Sequence, residues 1–182
     1  MFLAYAMAPG IINSQAKNSP PAIDQQKLEK IEKAGGRVMS IAQNDDRLEV
    51  DFHLQDSDVT SESLACLEGL KNLYSLNLGK TKINDAGFAH IKGLTALNRL
   101  YLQETKITDK GLINLKGLSN LTYLNLYGTA ITDQGLDNLT ALSNLKNLYL
   151  WQTKVTENGI NKLKKSLPNV NVVAGWDQEQ KK

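Results

Sequence analysis

The sequence predicts an α/β solenoid: a right-handed horseshoe with a parallel sheet on its concave face, short helices on its convex face and a helix-strand cap at its N-terminal end. Three observations carry this. The pattern T-x-[IV]-x-[DE]-x-G recurs at residues 81–87, 105–111, 129–135 and 153–159, so that Thr81, Thr105, Thr129 and Thr153 stand 24 residues apart. Ser57-Asp58-Val59-Thr60 continues the series backward by the same step. Between the copies, leucines fall as L-x-x-L-x-x-L-x-L, as in Leu118, Leu121, Leu124 and Leu126. A 24-residue unit holds one strand and one short helix, too little to bury an apolar face alone, so the units must stack and share one core.

Residues 1–21 read as a leader and linker. The run MFLAYAMAPGII is apolar, and Ser14-Gln15-Ala16 has the small-x-small form of a signal-peptidase site, although no positively charged stretch precedes it. The expectation is an exported, periplasmic protein; if the segment is not a signal, the expectation is a cytoplasmic one. Asn18-Ser19-Pro20-Pro21 makes a linker, because consecutive prolines hold the backbone extended. Residues 22–56 form the cap. A helix over 23–34 turns Leu28, Ile31 and Ala34 inward and stops at Gly35-Gly36, since glycine accepts the left-handed backbone of a helix end. Strands over 37–42 and 47–54 flank the turn Asn44-Asp45-Asp46. Leu48, Val50, Phe52 and Leu54 alternate one period before Leu76 and Leu78, so the second cap strand starts the main sheet and shields the first repeat.

Repeats occupy residues 57–176. Their strands are expected at 74–78, 98–102, 122–126 and 146–150, with a last one near 170–173. Helices such as 85–92 and 109–116 have only about two turns and cannot hold without packing. Asn84, Thr108, Thr132 and Thr156 are placed to accept the first free helical N–H groups, and Asp85, Asp109, Asp133 and Glu157 follow at once, complementing the helix dipole. Gly69, Gly93 and Gly117 close the opposite helix ends, while Ala141 departs from that pattern. In one coil Ile107, Leu112, Leu115, Leu118, Leu121, Leu124 and Leu126 face inward. The recurring threonine hydroxyls suit the bend after each strand, where they bond backbone groups that the sheet no longer serves. The last repeat slips its register. Leu142 and Leu145 map onto Ser166 and Asn169, with Leu167 and Val170 one place later, which predicts a lengthened helix and a closing edge strand. Residues 177–182 form a polar tail.

The function classes narrow by exclusion. With 21 basic and 19 acidic residues the net charge is +2, which argues against a nucleic-acid partner, whose recognition needs a concentrated basic face. Cys66 is the only cysteine, so the chain makes no internal disulfide or cysteine-based metal site, and the register puts it on the outer helix face with His90 and Asn114. His53 and His90 fall on opposite faces, which disfavours a catalytic triad. The carboxylate column of Asp85, Asp109, Asp133 and Glu157 fits helix starts better than a metal stripe. There is no phosphate-binding glycine loop. No enzyme activity, cofactor or metal is expected.

The residues between the strand leucines point away from the core. They run Asp51 and His53, Ser75 and Asn77, Arg99 and Tyr101, Tyr123 and Asn125, Asn147 and Tyr149, then Asn171 and Val173, with Gln55, Gly79, Gln103, Tyr127 and Trp151 one step further. The C-terminal half of the concave face thus gathers Arg99, Tyr101, Tyr123, Asn125, Tyr127, Asn147, Tyr149 and Trp151 as candidate partner-binding residues. Rigid amphipathic rings interleaved with Arg and Asn suit a protein interface. The same rings suit stacking on a glycan, and strand propensity alone also places tyrosine at such positions.

The motif L-x-x-L-x-x-L-x-L-x-x-T-x-[IV]-T-D-x-G-[LI] of residues 118–136 closely resembles the leucine-rich repeats of planctomycete, verrucomicrobial and Bacteroidetes proteins. Residues 31–36 (IEKAGG), 41–44 (IAQN), 50–54 (VDFHL) and 148–153 (LYLWQT) are similar to the C-terminal repeat domain of large membrane-anchored proteins with c-type cytochrome domains. That resemblance implies a leucine-rich-repeat solenoid in the periplasm, an interaction appendage whose partner is a membrane-anchored cytochrome or another envelope complex. The chain departs from that family in lacking any Cys-x-x-Cys-His haem site. The repeats also distantly resemble those of ribonuclease inhibitor and of F-box adaptors, without an F-box segment.

Overall fold

A computed structural model describes residues 24–53 and 59–175. The leader and linker, Gln55 with its neighbours 54–58, Trp176 and the polar tail lie outside the described residues. Seven strands form a single sheet in sequence order. After helix α1 (Gln25–Lys33), strands β1 (Arg37–Ser40) and β2 (Leu48–Asp51) make an antiparallel hairpin. From β2 onward every pairing is parallel, through β3 (Leu73–Asn77), β4 (Arg99–Tyr101), β5 (Tyr123–Asn125), β6 (Asn147–Tyr149) and β7 (Asn171–Val173). The second cap strand therefore opens the parallel sheet, as its alternation predicts. Apart from a shift between Leu48 and Glu49, register is kept: Leu76, Leu100, Leu124 and Leu148 lie side by side, with Val50 before them and Val172 after.

Strands β3 to β6 each lead through a bend into a short helical segment on the other layer. Asp85–Gly87 is a 3-10 turn that passes into α2 (Phe88–Ile91). In the next coils the order reverses, with α3 (Asp109–Leu112) and α4 (Asp133–Leu136) each followed by a 3-10 turn, and α5 (Glu157–Ser166) is longer. The two-turn α-helices expected from sequence are thus one α turn joined to one 3-10 turn, the tighter form that fits so short a return path. The longer last helix agrees with the slipped register, which buries Leu167 and Val170. The seven apolar side chains of the third coil, from Ile107 to Leu126, are all fully buried.

Three features turn the chain after each strand. The Thr81, Thr105, Thr129 and Thr153 hydroxyls donate to the carbonyls of Leu78, Leu102, Leu126 and Leu150 at 2.6, 2.7, 2.6 and 2.6 Å, the predicted role. Just before each threonine, Lys80, Glu104, Gly128 and Gln152 take left-handed backbone, with φ of 61°, 55°, 67° and 56°. Three of these four are not glycine, so the conformation costs energy; it aims the Lys80 and Glu104 N–H groups at the Gln103 and Tyr127 carbonyls of the next coil, each at 2.8 Å. Asn77 and Asn125 add an Asx turn, their Oδ1 atoms accepting from the N–H of Gly79 and Tyr127.

Two expectations need correction. Gly69 ends its helix left-handed at φ 77°, but Gly93 and Gly117 do not. Their helices close instead through 3-10 bonds from Leu94 N–H to Ile91 and from Leu118 N–H to Leu115, which keep the intervening glycine right-handed. Cys66 is half-buried rather than exposed, because α1 packs against the Glu62–Leu67 turn that carries it, and its Sγ donates to the Ser63 carbonyl. Burial pushes the thiol up to about 11, so it is a poor nucleophile.

Candidate functional site

The carboxylate column has a second role. Asp85 Oδ1 and Oδ2 accept from the backbone N–H and hydroxyl of Thr108 at 2.8 and 2.6 Å. Asp109 does the same to Thr132 at 2.9 and 2.6 Å, and Asp133 to Thr156 at 2.7 and 2.6 Å. Each threonine also caps its own helix: Thr108 Oγ1 accepts from Lys110 N–H and Thr132 Oγ1 from Gln134 N–H. The carboxylates are engaged by the next coil, and no group of three His, Cys, Asp or Glu side chains among the described residues is placed to hold a metal ion. This column is the seam between coils.

The concave face is different. Strand pairing sets two rows of outward side chains across the sheet. One reads Glu49, Ser75, Arg99, Tyr123, Asn147 and Asn171; the other reads Asp51, Asn77, Tyr101, Asn125, Tyr149 and Val173. Tyrosines therefore alternate between the rows, and each ring leans across to meet the next. Tyr101 and Tyr123 have centroids 4.8 Å apart at 40°, and Tyr123 and Tyr149 are 5.2 Å apart at 41°. The Arg99 guanidinium carbon lies 5.6 Å from the Tyr101 centroid and 5.3 Å from that of Tyr123, within cation–π range of both. Beyond the strand ends, Tyr127 and Trp151 meet edge to face at 5.8 Å. Arg99 is exposed, the four tyrosines are half-buried, and Trp151 retains 52% of its surface.

The structure thus places Arg99, Tyr101, Tyr123, Asn125, Asn147 and Tyr149 on the sheet face and pairs Tyr127 with Trp151 beyond the strand ends, with two qualifications. Asn125 spends its Oδ1 on the Tyr127 N–H, and Asn147 Oδ1 accepts weakly from Asn171 Nδ2 at 3.4 Å. Ring packing changes the chemistry of the phenols. Burial, then the neighbouring Tyr101 and Tyr149, pushes Tyr123 up to about 12, and burial raises Tyr101 as well.

Toward the N-terminal end the same face is polar and partly self-satisfied, although the buried Gln103 Oε1 has no hydrogen-bond partner. Asn77 Nδ2 donates to Asp51 Oδ2, Asp51 Oδ1 accepts from His53 N–H, and Ser75, an outward position by sequence, is 98% covered, with only 2% exposed. Gly79 is bare of side chain, and Gln103 occupies its space: a Cβ there would meet Gln103 Nε2 at 2.1 Å. Gln103 is the residue the sequence reading left out of the site; its signal was that it follows Arg99 and Tyr101 by the same step of two. Arg47 likewise stacks on Tyr74, 4.8 Å from the ring centroid, while its fork holds Asp45 down at about 2.

A family model described as leucine rich repeat matches residues 71–131. Among solved structures, internalin C2 from Listeria monocytogenes is similar at 32% identity and a TM-score of 0.51, over 60% of this chain and 44% of that one. The chain thus spans less than half the length of that internalin. A leiomodin-1 structure of its actin-binding site 2 is similar in fold at 18% identity and a TM-score of 0.54, over 88% of this chain and 94% of that one. The curated proteins contain no significant match. With the parallel sheet and short helices, these similarities establish a leucine-rich-repeat fold.

Proposed function

We propose that this chain is a non-catalytic protein-binding module that grips its partner on the C-terminal half of the concave face. The observation that carries the reading is the unbroken contact series Arg99, Tyr101, Tyr123 and Tyr149, a set of rigid, partly exposed rings around one cation, which is the composition of interface hot spots. The leucine-rich-repeat fold favours the same reading, since it presents a broad face and varies the residues on it while the leucine frame stays fixed. An envelope setting, with a membrane-anchored cytochrome or other envelope complex as partner, goes with the apolar run at residues 1–12 and the cap resemblance.

The test is cross-linking in the native envelope fraction, identification of the captured protein, and titration with that protein once purified. Replacing Tyr101, Tyr123 and Tyr149 together by alanine should weaken its binding by at least about a hundredfold, since hot-spot truncations each cost about 2 kcal/mol or more. Unchanged affinity would reject this face. A change in Trp151 fluorescence on adding neutral oligosaccharides, with no protein captured, would favour the glycan reading instead.

A further inference from the structure

Resting on that reading, we propose that Arg99 is the docking point for a carboxylate, presented by an acidic peptide segment of the partner beside an aromatic or aliphatic residue. Arg99 is exposed, yet its guanidinium lies within reach of the rings of both Tyr101 and Tyr123. Two ring contacts restrict a side chain that otherwise loses much rotamer freedom on binding, and a planar fork held in one orientation matches a carboxylate through two parallel bonds. No carboxylate among the described residues pairs with the charge. Among the described residues Arg47 pairs with Asp45 and Lys162 with Asp137, and no ion pair involves Arg99. Its row of the sheet continues C-terminally through Tyr123, Asn147 and Asn171, without an acid. The nearest acid in the row, Glu49, is two strands away across Ser75, about 10 Å at the usual strand spacing. A cation without an acid, bordered on one side by the Tyr123 and Tyr149 rings, is complementary to a carboxylate followed by an apolar side chain.

The ring geometry favours a peptide over an acidic sugar. The pairs are inclined at 40°, 41° and 63° to each other, so they form notches that side chains enter, whereas a sugar ring stacks best on one flat platform.

The experiment is selection from a displayed library of random dodecapeptides on the full chain, followed by titration of the enriched peptides. Peptides carrying Asp or Glu next to Trp, Tyr, Phe or Leu are expected. Arg99→Gln should weaken them about ten- to a hundredfold, the value of one charge-assisted hydrogen-bond pair, with Arg99→Lys recovering part of the loss. Changing the peptide's acid to its amide should cost as much against the native chain and little against Arg99→Gln. Peptides that require Tyr123 and Tyr149 but tolerate Arg99→Gln would overturn this inference and leave the protein-binding reading standing. Failure to enrich any peptide, or binding of oligogalacturonate alone, would overturn both.

Discussion

The seam between coils and the concave face are both columns of side chains repeated every 24 residues, yet they behave in opposite ways. Down the seam one chemistry recurs: a carboxylate on one coil meets a threonine on the next at 85/108, 109/132 and 133/156, after a first junction at 61/84 made by a serine and an asparagine. Across the face the side chains change along each row, and Glu49, Ser75, Arg99, Tyr123 and Asn147 share one of them. A column that keeps one residue type has a job set by its own neighbours in the fold. A column that varies from coil to coil, while remaining ordered, is released from that job and can match an outside surface.

Substitutions test this division. Leu124→Ala lies under both regions, fully buried, and should lower unfolding free energy by about 2 to 5 kcal/mol in chemical denaturation and remove binding with it. Asp109→Ala separates them: it strands the Thr132 N–H and hydroxyl, and should cost about 1 to 3 kcal/mol while leaving partner affinity of the folded fraction unchanged. A loss of affinity there without loss of stability would break the comparison. Tyr123→Ala should do the reverse, removing two ring contacts for about 1 to 2 kcal/mol of stability but most of the binding. The same residue makes a pH signature. Its folded value near 12 lies above the ordinary 10, so the folded state holds that proton longer; stability is full below pH 10 and falls as pH rises toward 12. Tyrosinate absorbance should show Tyr101 and Tyr123 titrating late, and Tyr123→Phe should remove the Tyr123 step. Smallest of all, Gly93→Ala has no atom within 4 Å of the added methyl and a right-handed backbone, and should raise stability by about 0.4 to 1 kcal/mol. The same change at Gly135 would meet Asp109 Oδ1 at 2.2 Å and should destabilise, because the seam carboxylate cannot move aside without losing Thr132.

What was legible in the sequence follows the range over which each interaction acts. The threonine hydroxyl reaches a carbonyl three residues back and the helix caps reach two or three residues ahead, so both could be read from spacing alone. The tyrosine series was legible because strand alternation and a fixed period place residues 24 apart on adjacent strands. The second bond of Asp109 could not be read, since its partner lies 23 residues away and depends on how one coil is rotated over the next. Neither could the covering of Ser75 nor the sideways lean of Gln103 onto Gly79, which follow from side-chain direction rather than position. The left-handed column at 80, 104, 128 and 152 did leave a trace, the single glycine at 128, but Lys80, Glu104 and Gln152 obscured it.

The seam has a further consequence for how such a molecule changes length. The two coils that begin at Thr105 and Thr129 each carry both halves of the fastening, a carboxylate for the neighbour ahead and a threonine for the neighbour behind. Duplicating or excising either of these 24-residue segments leaves each remaining half facing its complement, so the array can grow or shrink by such units without any compensating change in the seam.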